Sequence, residues 1–518
     1  MSTSLSICFT SDVHGYVHPT NYRDSTEQPL GLAKLATIIE QIKEQKHMLL
    51  IDNGDFIQGS PFTYYYAKQY PETPSPMIQV ANTMGYDVGI LGNHEFNYGI
   101  SYLNHAIEAS QYPWLSANIL DKQTKEPYFE PYVIREIKGL KIGFIGLTTH
   151  LIPQWEDPSH IESLVFEDAC KAAKRWVPYV RKQERPDFLV VCYHGGLERD
   201  PETKEATEPI TGENQAVQIC QEVDGIDLLL TGHQHRLLVN QVKETPLIQV
   251  GHQGAALGEI EVTFDQNKAV TSVRPMIHEV EETTNTSEAV LNDMEDKEKT
   301  VQDWLDQPMA RTRGDMTIDD AFQARLTEHP FIEYINQLQM KVSGASISCT
   351  AIFDNQAPGF PENISMRDVV TNYIFPNTLK VIKLRGRDIK EALERTAHYF
   401  QVKENGEMGI HPEFLYPKPQ HYNYDMWEGI EYTINVSKPV GQRVVQLDYN
   451  ERPMDMEEEF AVVMNHYRAS GGGGYEMFSG KEVLQDIQTD MTEIIANDLL
   501  QEQIIEASCN QNWKVVYE

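Results

Sequence analysis

Basic side chains are in short supply: 43 Lys and Arg stand against 77 Asp and Glu in 518 residues, a formal net charge of −34. A field of that sign opposes polyanions, which argues against any role in gripping DNA or long RNA. A small anionic substrate is compatible with it if a local positive source, most simply metal ions, overrides the field. Cysteine is scarce as well, and Cys8, Cys170, Cys192, Cys220, Cys349 and Cys509 show no CxxC spacing. That argues against a disulfide scaffold and suits free thiols in a reducing compartment. No run approaches the roughly 18 apolar residues that span a bilayer. The first residues, MSTSLSICFTSDVHG, lack a basic segment followed by an apolar one. A cytoplasmic protein with no membrane partner is therefore expected. Internal repeats and low-complexity tracts are absent too.

The length exceeds what one ordinary core accommodates, so two or more domains are expected. Up to about residue 260, short apolar runs end in polar or glycine-rich tips: LSICFTSDVHG, MLLIDNGD, DVGILGNHE, LKIGFIGLTTH, DFLVVCYHGG, IDLLLTGHQH and TPLIQVGHQG. Helical patterns such as GLAKLATIIEQIKEQ and EDACKAAKRWVPYVRKQ lie between several of them. This alternation implies a layered α/β domain over 1–278, with sheets covered by helices. The acidic stretch from Glu279 to Arg313 carries no strand signal and reads as a connecting helix, giving a linker over 279–320. A smaller α+β domain then occupies 321–518, with helices in HPFIEYINQLQMK and RDIKEALERTAHYF and strands in YTINVS and EEFAVVMN.

The strand tips of the first domain carry a patterned set of ligand types. In order they are Asp12 and His14, Asp55, Asn93, His194, and His233 with His235. In open α/β sheets the carboxyl ends of strands are where ligands collect. Carboxylate, imidazole and amide oxygen together suit borderline divalent ions such as Mn²⁺, Zn²⁺ or Fe²⁺. Seven ligands exceed one tetrahedral site, but with a bridging carboxylate they make two sites about 3.5–4 Å apart. Asp12, His14 and His235 are assigned to one ion, Asn93, His194 and His233 to the other, and Asp55 between them. Asn93 supplies an oxygen without adding negative charge where an anionic phosphate must also bind.

The ordered set D-x-H, G-D, G-N-H, H and G-H-x-H resembles the calcineurin-like metallophosphoesterases. DNGDFIQGSP, LGNHEFNYG and MNHYRASGGGGY resemble more narrowly the bacterial 5′-nucleotidase family, and within it the branch of 2′,3′-cyclic-nucleotide phosphodiesterases that are also 3′-nucleotidases. The resemblance implies a metallophosphoesterase sandwich of helices over two sheets, joined to a nucleotide-binding domain. It also implies two divalent metal ions and a small-molecule nucleotide substrate. Many 5′-nucleotidases carry Asp three residues after the catalytic histidine. Here His94 is followed by Asn97, as in the cyclic phosphodiesterase branch, and a neutral amide can only orient the ring. His94 is expected to donate to the phosphoryl group or the leaving oxygen.

Dimetal chemistry alone does not select a nucleoside, so the second domain must. Phe375 and Tyr467 match the family's two aromatics that sandwich the base, and stacking of this kind contributes about 1–3 kcal/mol per base. Many 5′-nucleotidases hold the ribose through an aspartate in the glycine run; the matching position here is Gly473. Their N-G-G-x-x-R segment is replaced by FDNQAPGFP, where Asn355 is a candidate contact, and Arg468 is a candidate positive one. The role of YNYDMWEGIEYTINVSKP stays open at this level. The leading expectation is hydrolysis of 2′,3′-cyclic nucleotides or nucleoside monophosphates, by a monomer or homodimer. A broad 5′-nucleotidase, a phosphoprotein phosphatase and a non-catalytic nucleotide sensor are the alternatives.

Overall fold

A computed structural model describes residues 2–207, 210–375, 377–403, 406–487 and 489–517. The chain divides into two units, Met1–Val301 and Gln302–Glu518.

All seven apolar runs of the first unit are strands, and their hydrophobic content is explained by where they lie. One six-stranded sheet runs, edge to edge, Val270–Glu279, Ala256–Phe264, Thr3–Thr10, Met48–Asp52, Val88–Ile90, Trp114–Leu115. The other runs Leu237–Val242, Thr245–Val250, Leu228–Thr231, Phe188–His194, Leu140–Thr148, Tyr132–Ile137. In the first sheet Thr3–Thr10 through Trp114–Leu115 run parallel and the other two strands pair antiparallel; in the second, four parallel inner strands are closed by an antiparallel neighbour at each edge. The sheets face each other across one core in which Ile7, Phe9 and Ile51 of the first meet Phe144, Val190 and Leu230 of the second. Strands buried on both faces need near-continuous apolar sequence, and these have it.

Helices cover the outer faces. Ala169–Gln183 begins at Asp168, whose side chain accepts from the Lys171 amide at 2.7 Å. Its buried Ala169, Ala173, Val177 and Val180 recur at helical spacing and pack on the second sheet with Val191 and Leu229. Within each sheet the parallel strands therefore deliver their carboxyl ends to the same side, and the loops that carry the candidate ligands begin there.

The stretch expected to be a helical linker free of strands is more varied. Val270–Glu279 is still strand, Glu288–Leu305 is the helix, and the units divide inside it. Pro308–Arg313 is a strand, paired antiparallel with Asn363–Ser365 and parallel with Ile504–Glu506. Its partners lie far along the chain, so the local pattern PMARTR gave no sign of them.

The second unit is built on a five-stranded sheet in the order Asp425–Glu428, Ile347–Ala351, Glu459–Asn465, Leu379–Arg385, Val483–Ile487. Helices Pro330–Ser343 and Gly386–Ala397 coincide with the two helical patterns of the sequence, and Glu431–Asn435 and Glu459–Asn465 with the two strand patterns. Among the described residues no helix is long and apolar enough to cross a membrane.

Leu230 sits fully buried between the two sheets, two residues before the turn that carries His233. Leu230→Ala should cost about 2–5 kcal/mol of stability, read by urea unfolding of the metal-loaded protein.

Candidate dimetal centre and aromatic cleft

Asp12, His14, Asp55, His233 and His235 share an unusual backbone: each has a positive φ, between 53° and 68°. For residues other than glycine this left-handed region costs about 1–3 kcal/mol each. Five of the seven candidate ligands thus sit in strained turns at strand ends, held there by their neighbours. The Asp12 amide donates to Gly54 O at 2.9 Å and the His14 amide to Asp55 O at 2.8 Å. The Asp12 carboxylate accepts from the His233 amide at 3.0 and 3.1 Å, and Asp55 Oδ1 accepts from the His94 amide at 2.8 Å. Glycine is required where these loops touch. A Cβ on Gly54, whose φ is +98°, would lie 2.5 Å from His194 Nδ1, and one on Gly92 would lie 2.2 Å from Asp55 Oδ1.

The side chains converge in two groups, Asp12 with His14 and His235, and Asp55 with His194 and His233, the ligand atoms within 4.8 Å of one another in each. His14 Nε2 lies 3.1 Å from His235 Nε2, and Asp12 Oδ1 is 3.4 Å from His235 Nε2. Asp55 Oδ2 reaches toward both groups, 3.1 Å from His194 Nε2 and 4.0 Å from His14 Nε2.

Tautomers follow from the partners. His14 Nδ1 donates to Gln58 O at 3.0 Å and His194 Nδ1 to Asn53 O at 2.7 Å, so in both rings Nε2 is the nitrogen left for a cation. His194 Nε2 and Asn93 Oδ1 are buried without a hydrogen bond of acceptable geometry. Such orphaned atoms are rare in folded proteins and mark a place for an ion. The donor set and these two atoms fit divalent cations.

Electrostatics show the same demand for positive charge. Burial would raise Asp12 and Asp55, yet His194 and the neighbouring histidines hold both below the usual carboxylate range. Burial would lower His194, but Asp55 and Asp12 lift it to about 10. His14 goes the other way, down to about 3, because burial dominates there. In a pocket this dry a carboxylate pair draws in a proton when no cation is present.

Several contributors had no assigned role in the sequence reading. Glu95, fully buried, accepts from the amides of Asp55, Phe56 and Gly92 at 2.9, 2.6 and 2.7 Å, tying together the Asp55 and Asn93 loops. Burial, then the charge of Asp55, pushes its carboxyl up. Its one sequence signal is an acid directly following His94 in an apolar setting. Glu213 Oε1 lies 2.8 Å from His233 Nε2. Trp155 stacks on His233 with centroids 5.6 Å apart, and His252 stacks on His235 at 4.7 Å. His94 stands edge-on to His14 at 5.3 Å, and its Nδ1 lies 2.6 Å from Asn97 Oδ1.

In the second unit Phe375 and Tyr467 are both half-buried, and the Tyr422 ring neighbours each of them. The centroids of Phe375 and Tyr422 are 6.3 Å apart at 76°, those of Tyr422 and Tyr467 6.4 Å at 72°. Tyr422 is the residue the sequence missed, and it gives a place to the YNYDMWEG segment. Asn355 is exposed, on the loop beginning at Phe353, whose ring packs edge-on against Phe375 at 5.8 Å.

Arg468 differs from its expected role as a substrate contact. It is 1% exposed, its Nε lies 2.7 Å from Asp425 Oδ2, and it donates to Tyr422 O at 2.8 Å and to Gly472 O. Its guanidinium covers the Tyr475 ring at 4.0 Å. With no face left for a ligand, it ties the Tyr422 loop to the glycine run beside Tyr467. Gly473 is also committed. Its carbonyl accepts from Arg395 at 3.2 Å, and a Cβ there would lie 2.0 Å from Asn423 Oδ1. The run is packed against its neighbours, and no side chain fits at 473.

A sandwich of two mixed sheets with a histidine–carboxylate cluster at the strand ends defines a calcineurin-like phosphoesterase, and residues 5–237 match the family model of that description. Enzymes of this class use divalent metal ions. Residues 308–480 match the 5′-nucleotidase C-terminal domain, and the whole chain belongs to the 5′-nucleotidase family of metallophosphoesterases. A crystal structure assigned to a 5′-nucleotidase of Staphylococcus aureus is similar over 100% of both chains, with 37% identity and a TM-score of 0.93. The 2′,3′-cyclic-nucleotide 2′-phosphodiesterase/3′-nucleotidase of Haemophilus influenzae is 28% identical over 99% of this chain and 87% of its own length. The trifunctional nucleotide phosphoesterase YfkN of Bacillus subtilis is 26% identical over 99% of this chain, which spans only 39% of that protein.

Two outcomes follow from these contacts. Glu95→Ala should unhitch the Asp55 and Asn93 loops and lower metal affinity about 10- to 100-fold, measured by competition with a chromogenic chelator. Asp425→Ala leaves the Arg468 charge buried and alone, and should cost about 3–5 kcal/mol in thermal unfolding.

Proposed function

We propose that this chain hydrolyses 2′,3′-cyclic nucleotides and nucleoside monophosphates, ending in nucleoside and phosphate, with two divalent ions held by the seven residues above. The observation that carries the reading is the double cluster of Asp12, His14 and His235 with Asp55, His194 and His233, in which His194 Nε2 has no hydrogen bond of acceptable geometry; Asn93 Oδ1, on the loop that Glu95 ties to Asp55, is buried without one as well. Asp12, His14 and His235 would hold one ion, Asn93, His194 and His233 the other, with Asp55 shared; the mixed N and O donors suit Mn²⁺, Zn²⁺ or Fe²⁺. Bound there, such ions supply Lewis-acid polarisation of the phosphoryl oxygens and a more acidic water.

The chain's own residues do the rest. His94 in its protonated form gives the Nε2 proton to the leaving oxygen as the bond to phosphorus breaks and its electron pair goes to that oxygen. The ring left behind is the neutral Nδ1–H tautomer, which Asn97 Oδ1 accepts from, so the cycle needs no tautomer change. The proton lost by the attacking water leaves to solvent, and solvent reprotonates Nε2. Phe375 and Tyr467 grip the base, with the Tyr422 ring edge-on to each.

Asn97 and the bare Gly473 favour the cyclic and 3′-nucleotide substrates, in line with the name of the Haemophilus relative. The likeness to the Staphylococcus structure favours a broad 5′-nucleotidase as the second reading. The aromatic trio has no use in a phosphoprotein phosphatase, and a full set of ligand types has none in a sensor. The buried free thiols suit a cytoplasmic setting.

The deciding experiment assays the purified protein with Mn²⁺ on 2′,3′-cyclic, 3′- and 5′-nucleotides and on p-nitrophenyl phosphate. The cyclic and 3′ substrates should turn over fastest; preference for 5′ would establish the second reading. EDTA should abolish activity and Mn²⁺ restore it, whereas full turnover after exhaustive chelation would refute the mechanism. His94→Ala should lower kcat by about 10²–10⁴-fold.

A further inference from the structure

Resting on that reading for its catalytic half, we infer that Glu156 is a positioning residue for His94, acting through Asn97. The contacts run outward from the ring. Asn97 Oδ1 meets His94 Nδ1 at 2.6 Å, and Asn97 Nδ2 donates to Glu156 Oε2 at 2.7 Å. Glu156 Oε1 accepts from His160 Nδ1 at 2.8 Å and from the Asp157 amide at 2.9 Å. Glu156 is buried, with 7% of its surface exposed. Both of its oxygens are used, so it is locked in place.

An amide beside an imidazole can turn either its oxygen or its NH₂ toward the ring. A carboxylate at the far end removes that choice, because it accepts only. The NH₂ of Asn97 must face Glu156, its oxygen must face His94, and His94 must carry its proton on Nδ1. Nε2 is then the nitrogen left for substrate. An aspartate at position 97 would set the same tautomer by direct contact, with a full negative charge against the ring. Here the carboxylate stands one side chain further out, and the amide transmits its orienting effect without placing that charge next to a phosphate site.

Glu156→Gln can both donate and accept, so it releases the Asn97 amide to flip. It should lower kcat about 10- to 100-fold, the usual effect of removing such an orienting partner, with KM little changed. In a His94→Ala background the same substitution should cause no further loss. Asn97→Asp alone sets two carboxylates against each other and should lower kcat severely. Adding Glu156→Gln, whose amide can donate to the new aspartate, should recover most of that loss. Equal losses from Glu156→Gln in both backgrounds, or no recovery in the double variant, would mean a purely structural role and overturn the inference.

A second readout is independent of turnover. In ¹⁵N-histidine NMR of the metal-loaded protein, with His94 assigned by its disappearance in His94→Ala, the neutral ring should be protonated on Nδ1. In Glu156→Gln it should become a mixture of tautomers. An Nε2-protonated His94 in the unaltered protein would overturn the positioning role whatever the substrate is. The stated tautomer together with no hydrolysis of any nucleotide would instead sink the functional reading alone.

Discussion

Two carboxylates, Asp12 and Asp55, sit in a water-poor pocket among histidines, and most of the first unit can be understood as the means of keeping them there. Ionised groups out of water need opposite charge close by, and here the balance is struck with the imidazoles of His14, His194, His233 and His235. Parallel strands bring the loops to one edge, Glu95 binds two of those loops through their amides, and Gly54 and Gly92 let them touch. The strained turns are sustained by the same contacts. Stability given up at the strand ends is offset by the apolar core between the sheets, which is a common division of labour in enzymes.

Much of this was legible in the sequence, for a physical reason. A strand buried on both faces has to be apolar along its length, so each of the seven runs announced itself, and the polar residues that end a run stand out against it. Phe188–His194 shows this well: six residues of core strand and then a histidine. The candidate ligand set was therefore readable as a list of strand ends. Partnerships across the sequence were not readable. Pro308–Arg313 is a strand because Asn363–Ser365 and Ile504–Glu506 flank it, and nothing in its own six residues says so. Arg468 looked like a free cation for the same reason, since Asp425 lies 43 positions before it in the chain. Glu156 and Tyr422 were passed over because their importance lies wholly in what they touch.

The two units divide the chemical work. The first holds the histidine–carboxylate cluster at its strand ends. The second carries three aromatic rings, of which Tyr422 and Tyr467 adjoin the buried Arg468–Asp425 pair. Strong net negative charge and an anionic substrate are reconciled only where local cations outweigh the field, which makes the histidine–carboxylate pocket the natural place for phosphate on this molecule.

The crowding around Gly473 constrains how such a protein could change its taste in substrates. An aspartate introduced there alone would collide with Asn423 before meeting any sugar, and the left-handed backbone, φ +74°, adds its own penalty. Residue 423 has to shrink or turn away first. An acidic side chain in that loop is thus reached by an ordered pair of steps, and the first of them, taken alone, only removes the contacts that Asn423 Oδ1 makes with the Arg468 guanidinium at 3.4 and 3.5 Å.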